Sequence, residues 1–270
     1  MKNHLLNKSI KFCFSVIALL MLTVYQLSAQ VSVSGGTSAA GSYSSLSGAF
    51  TAINATSLSS SVTVTLTSSY TETASVLIGG STINGSTSSS NTITVDGAGY
   101  TVTAPTGTTT TTDGIIVIQG TDYVTIQNIT LQENSGNTTT TQQMEWGVGI
   151  VKLSASDGAQ NISVSGCTIS LNKTNTASVG IYGGNHIATS VTALTIASSA
   201  GTNANIKINN NTISNAYIGI QVSGYTTTAT YYDSGLEIGS STGNTISNYG
   251  GGLEFQEKSG RKMYSPMPHV

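Results

Sequence analysis

The sequence predicts an all-β fold, a right-handed parallel β-helix (solenoid) with a short N-terminal capping helix, on three observations. Charged residues make up only 7% of the chain, against about 25% in ordinary soluble domains, and Ser, Thr, Gly and Asn take their place. Glycine-led phrases of alternating apolar residues return every 31 to 39 residues. A second alternating phrase, with Asn or Gly at a bend, follows most of them.

Residues 1–29 precede the fold. Lys2, Lys8 and Lys11 form a positive start, Phe12 to Tyr25 an apolar stretch, and Gln26 to Ala29 a short polar end with a small final residue. That order is a secretory signal peptide with cleavage expected after Ala29. The apolar stretch is shorter than the roughly 20 residues a membrane span needs. Cys13 follows Ile10-Lys11-Phe12, which lacks the small residues of a lipoprotein cleavage site. The exported part then loses three of nine basic residues and none of eleven acidic ones, so its formal charge falls from −2 to −5. Nucleic-acid binding rests on Lys and Arg neutralising phosphates, yet no Arg precedes Arg261. That excludes nucleic acid, and the same deficit argues against anionic lipid.

Residues 30–90 carry the entry to the fold. Leu46, Ala49, Phe50 and Ile53 stand at i, i+3, i+4 and i+7, one apolar helix face, with Ser44 or Ser45 as N-cap. Ser61-Val-Thr-Val-Thr-Leu66 then alternates as a strand. The helix is expected to cover the first coil, because solenoid ends need capping.

Residues 91–255 hold the repeats. The leading glycines are Gly114, Gly149, Gly180, Gly219 and Gly252. The second phrase reads Tyr123 to Leu131, Asn161 to Ile169 and Asn205 to Ile213, with Asn244-Thr-Ile246 as the end of another copy. Period-two alternation puts Val124, Ile162 and Ile206 in one interior column, with Ile126, Val164 and Ile208 beside it. Asn128, Gly166 and Asn210 or Asn211 occupy the corner, where Asn and Gly tolerate left-handed backbone. Asn amides can also bond from coil to coil, as in other stacked ladders. Extra length is expected in loops at Asn134–Gln143 and Ala188–Ala204. Cys167, the one cysteine after the leader, is expected to be buried. Two immunoglobulin-like sandwiches are the competing architecture, but they lack such a repeat.

Through the Gly-Ile-x-Val and Asn-Ile-x-Ile phrases, residues 91–255 resemble the pectate-lyase-like right-handed β-helix repeat proteins. The likeness is greatest to the large exported surface proteins of type IX secretion systems. It is specific for architecture and unspecific for activity. The lyases of that fold are known for acidic calcium ligands and a catalytic Arg, and the hydrolases for clustered Asp residues. Here no Arg lies in the repeats and no close Asp-Asp cluster occurs. Asp113 and Asp122 are the pair to inspect as paired carboxylates, with solvated turn residues as the simpler reading. His186 has no His partner within the repeats for a metal site or triad. Asp96-Gly-Ala-Gly99 marks a turn, because the calcium-binding nonapeptide repeat is missing. Several Asn-x-Ser/Thr sequons, such as Asn128-Ile-Thr130, are expected by chance in so Thr-rich a chain. Trp146, Tyr231 and Tyr232 are candidate carbohydrate contacts. No cofactor, metal or catalytic constellation is expected.

Residues 256–270 bring charges and Pro266 and Pro268, so the repeats should stop near Phe255 and leave an irregular tail. The expected function is a structural or adhesive surface module that binds a partner or polysaccharide, as the N-terminal part of a larger protein. The alternatives are a polysaccharide lyase or glycoside hydrolase of β-helix fold, and a truncated product without independent activity.

Overall fold

The computed structural model describes residues 29–251. The expected leader (but for Ala29), the phrase from Gly252 and the tail lie outside them. The chain enters with β1 (Val31–Gly35), β2 (Gly41–Tyr43) and α1 (Leu46–Asn54). It then makes a pass of three short strands, β3 (Val62–Leu66), β4 (Tyr70–Thr71) and β5 (Val76–Ile78), before a single helical turn, α2 (Ser81–Asn84). Further passes run β6 (Ile93–Asp96), β7 (Thr101–Thr103), β8 (Gly114–Gln119), then β9 (Val124–Gln127), β10 (Thr130–Gln132), β11 (Trp146–Lys152). They continue with β12 (Ser163–Ser165), β13 (Thr168–Ser170), β14 (Val179–Ile187), then β15 (Lys207–Asn209), β16 (Thr212–Ser214), β17 (Ile218–Val222). A partial pass, β18 (Glu237–Ile238) and β19 (Thr245–Ser247), ends the described chain.

Each pass gives one strand to each of three sheets. Sheet A runs β18-β15-β12-β9-β6-β3-β1-β2, sheet B β19-β16-β13-β10-β7-β4 and sheet C β17-β14-β11-β8-β5. All strand pairs are parallel except β1 with β2 and β1 with β3. The molecule is therefore all-β in three parallel sheets.

Alternation makes the interior. In sheet A, Val64, Val95, Ile126, Val164, Ile208 and Ile238 stand opposite one another. Val102, Leu131, Ile169, Ile213 and Ile246 form the sheet B column. Val76, Ile116, Val148, Ile181 and Ile220 form that of sheet C. The six residues expected inside sheet A are all at most 2% exposed. Cys167 is buried too, and burial pushes its thiol up to about 11, so it is an inert filler.

The corners follow the expected chemistry. Asn128, Gly166 and Asn210 have φ of 52°, 66° and 57°, where Asn and Gly are the tolerant residues. Asn211 then bonds across passes: its Nδ2 donates to Val164 O at 3.0 Å and to Asn244 Oδ1 at 2.9 Å. The irregular segments between β10 and β11 and between β14 and β15 contain both expected loops.

One expectation is corrected. Gly114 and Gly149 are not equivalent: Gly114 pairs with Trp146, while Gly149 pairs with Val117 and Tyr182. Gly147 instead shares the register of Gly180 and Gly219, as their paired neighbours fix. A Cβ at Gly147 would stand 2.5 Å from Ile169 Cγ2, and one at Gly219 2.6 Å from Ile246 Cγ2. These glycines let sheet C approach the isoleucines of sheet B.

The N-terminal end is sealed more elaborately than the sequence suggests. Leu46, Ala49, Phe50 and Ile53 are fully buried, and Ser45 Oγ accepts from Gly48 N at 3.0 Å. Glu72 supplies a second cap, its Oε1 accepting from Leu46 N at 2.8 Å and Ser47 N at 3.2 Å, where the helix dipole favours an anion. Asn54 extends from the helix to β5, donating to Leu77 O at 2.7 Å and accepting from Gly79 N at 3.1 Å. Antiparallel β1 pairs along β3, so sheet A does not end on an open parallel strand.

Candidate functional site

The outer face of sheet C carries the densest side-chain arrangement. Leu77, Val117, Gly149, Tyr182 and Gln221 stand opposite one another on neighbouring strands. At Gly149 the missing side chain leaves room for the Trp146 indole, whose Cε3 is 2.6 Å from where a Cβ would be. Trp146 and Tyr182 stack with centroids 4.7 Å apart and planes 3° from parallel. Val117, Val151 and Val179 complete the cluster. Such stacking contributes about 0.5–1.5 kcal/mol beyond area burial.

His186 closes the stack. Its Nδ1 donates to Ile187 O at 2.8 Å, so Nε2 accepts from the Tyr182 hydroxyl at 2.9 Å. Burial lowers the pKa of the ring and holds it neutral, as this pair of bonds requires. Beside the stack lies a pocket of about 300 Å³, floored by Leu77 and Val117. Thr108, Thr109, Thr112 and Asp113 line it together with Ala188 and Thr189 of the long loop after β14.

The carboxylates fall into other groupings than Asp113 with Asp122. Those two stand beyond opposite ends of β8, and a strand of that length spans roughly 17 Å. Asp113 Oδ2 instead accepts from Thr109 N at 2.7 Å, while its own N–H donates to Glu145 Oε2 at 3.0 Å. Glu145 is pushed up to about 7 by burial, with the charges of Asp113 and Glu133 adding to it. Glu133 accepts from Met144 N and from Asn137 Nδ2, both at 2.8 Å. These three carboxylates hold the backbone of the turns that lead into β8 and β11. Asp122 accepts from Gln160 N at 2.7 Å and is pushed up to about 6 by burial, helped by the charge of Asp157. Among the described residues, no group of three or more His, Cys, Asp or Glu could hold a metal ion.

The far end of β11 carries a buried ion pair. Lys152 Nζ lies 3.2 Å from Asp233 Oδ1, with its side chain 0% exposed. Asp233 Oδ1 also accepts from Asn203 N at 2.7 Å. The pair thus pins the ends of both long loops, after β14 and after β17, onto sheet C. Burial lowers the lysine pKa and raises that of the aspartate.

The three aromatic candidates are not brought together. Trp146 is 3% exposed and packed between Val117 and Tyr182, so it offers no face to a sugar. Tyr231 and Tyr232 are half-buried in the loop after β17, next to Asp233 and therefore at the opposite end of β11 from Trp146. Tyr182, which the sequence did not single out, is the half-buried ring of the stack. The signal for it lay in Gly149: a glycine in the middle of a strand marks a close approach. Among the described residues, no helix is long and apolar enough to cross a membrane. Neither a protein-family model, nor a curated protein, nor a solved structure matches the chain.

Proposed function

We propose that the chain is a right-handed parallel β-helix of the pectate-lyase-like kind, acting as an exported structural or adhesive surface module. The observation that supports the coil reading is parallel register between successive passes in all three sheets, residue for residue except where β14 bulges against β11 between Gly183 and Ile187. The track along sheet C is the contact surface for a partner or polysaccharide: Leu77 and Val117 floor a pocket rimmed by threonine hydroxyls, and Tyr182 continues it. Binding fits this track better than cleavage. Asp113, its one acid, already receives backbone N–H bonds, and Glu145 and Glu133 are tied to turns. Export rests on the leader pattern of residues 1–29, and membership of a larger surface protein on the resemblance.

Affinity electrophoresis through a panel of polysaccharides, with lyase and hydrolase assays on the same panel, tests the reading. Retardation without cleavage that is lost in Leu77→Asp supports it. Cleavage by the wild type, or retardation indifferent to Leu77→Asp, contradicts it.

A further inference from the structure

Sheet B differs from its neighbours in what its outer surface presents. Thr101, Thr130, Thr168, Thr212 and Thr245 stand in one column across five strands. Thr103, Gln132, Ser170, Ser214 and Ser247 form a second, which Thr71 extends by one strand. The residues between the columns, Val102 to Ile213, are fully buried, so every member of both columns faces outward. Thr168, Thr212, Thr245 and Ser247 are exposed and the other hydroxyl residues of the five strands half-exposed. Neither column contains a charge or an aromatic ring.

The spacing is fixed by the backbone. Parallel strands repeat at about 4.8 Å, and residues i and i+2 along a strand are about 6.7 Å apart. Threonine χ1 is restricted by β-branching, which limits the orientations open to each hydroxyl and methyl of the Thr101–Thr245 column. The result is a rectangular array in which one column is threonine throughout, a hydroxyl and a methyl at each step, and the other is serine and threonine broken once by the Gln132 amide. Its two repeats are close to those of water oxygens on a prism face of hexagonal ice. The other two sheets show that this is more than β-propensity. Sheet A has a similar column of Thr63, Thr94, Thr125 and Ser163, but it runs into Lys207 and Glu237, an ion pair at 3.6 Å. Beside it Asp96 accepts from Gln127 Nε2 at 3.0 Å. Sheet C is covered by Trp146, Tyr182 and two loops.

We propose that the outer face of sheet B is an ice-binding surface. A charged mineral lattice would require charged side chains, and a crystalline glucan would require aromatic platforms; the face offers neither. An ordered neutral lattice of hydroxylic groups remains, and water ice has that chemistry. The inference rests on the paired register of sheet B and goes beyond the adhesive reading, whose track lies on sheet C.

The test is ice-crystal shaping, thermal hysteresis and recrystallisation inhibition by the purified protein. It is compared with the double variant Thr168→Tyr/Thr212→Tyr and with Thr125→Tyr on sheet A. Circular dichroism melts check that each of the three is folded. If the double variant does not fold, Thr168→Val/Thr212→Val takes its place, because it removes the hydroxyls without adding bulk. The expected result is faceted ice with the wild type and Thr125→Tyr, and at least a tenfold loss of hysteresis in the folded sheet B variant. Wild-type protein that leaves ice unshaped up to its solubility limit overturns the proposal. So does activity equal to wild type in the folded sheet B variant. Retention on crystalline cellulose or chitin that depends on Thr168 and Thr212, without effect on ice, would assign the face to a solid glycan and overturn it as well.

Discussion

The outer faces of sheets B and C are built on the same interior pattern and finished in opposite ways. On sheet B the strands are two or three residues long, the turns between neighbouring sheets A and B are mostly tight, and small hydroxyl residues stand in open columns. On sheet C the strands reach seven and nine residues, long loops leave from their ends, and a Trp–Tyr–His stack and a buried Lys–Asp pair fill the surface. Local sequence sets the first face, because each hydroxyl position is fixed by alternation within its own strand. Contacts across many passes set the second: Lys152 and Asp233 are separated by 81 positions. Stability should therefore be concentrated on the interior and on sheet C, and sheet B should tolerate change.

Substitutions can break that contrast, beginning with the interior both faces share. Ile162→Asp places an unpaired carboxylate in a dry column and should abolish folding; a cooperative melt near that of the wild type would refute the register of sheet A. Next are the buried elements of sheet C. Asp233→Ala leaves Lys152 without its counter-ion and should cost about 3–5 kcal/mol. Replacing both partners, as in Lys152→Met/Asp233→Leu, should cost less, about 1–3 kcal/mol, because only the Asn203 N–H then loses its acceptor, and urea titrations of the two variants check the difference. Trp146→Ala should cost a similar amount, about 3–5 kcal/mol, because no rearranged side chain can fill the space over Gly149.

A smaller effect concerns pH. Glu145 titrates near 7 in the folded chain and at 4.5 ordinarily, so between those values the folded state binds more protons than the unfolded. Stability must then fall as pH rises through that window. His186, whose folded pKa is lowered, contributes with the opposite sign, because its stabilisation is lost as pH falls. Glu145→Gln removes only the first of these. Its melting temperature relative to the wild type should therefore be higher at pH 8 than at pH 5. A difference that does not change with pH would show that Glu145 does not titrate in this range. The least effect is expected on sheet B, where Thr168→Val should move stability by no more than about 0.5 kcal/mol.

Much of the fold is legible in the sequence because its determinants are local. The interior column of Val124, Ile162 and Ile206 follows from period-two alternation, and the left-handed corners at Asn128, Gly166 and Asn210 from residue type alone. The helix face of Leu46, Ala49, Phe50 and Ile53 is read in the same way. Less of the candidate site is legible. Gly149 is a misleading anchor for the repeat, because its missing side chain serves Trp146 on the outside, whereas Gly147 keeps the inward register. Glu72 as a helix cap, antiparallel β1 beside β3 and the Lys152–Asp233 pair are contacts between distant segments. No spacing within one repeat specifies them.

The central claim is that successive passes stack in parallel, one strand per sheet. Spin labels at Thr101 and Thr245, on exchanged cysteines, test it most directly, since the native Cys167 thiol is buried and inert. Five strands of sheet B, β7 to β19, carry these positions in one column. Four strand spacings then predict a single narrow separation of roughly 19 Å. A broad distribution, or a distance far beyond that value, would contradict the stacked arrangement and the hydroxyl array that depends on it.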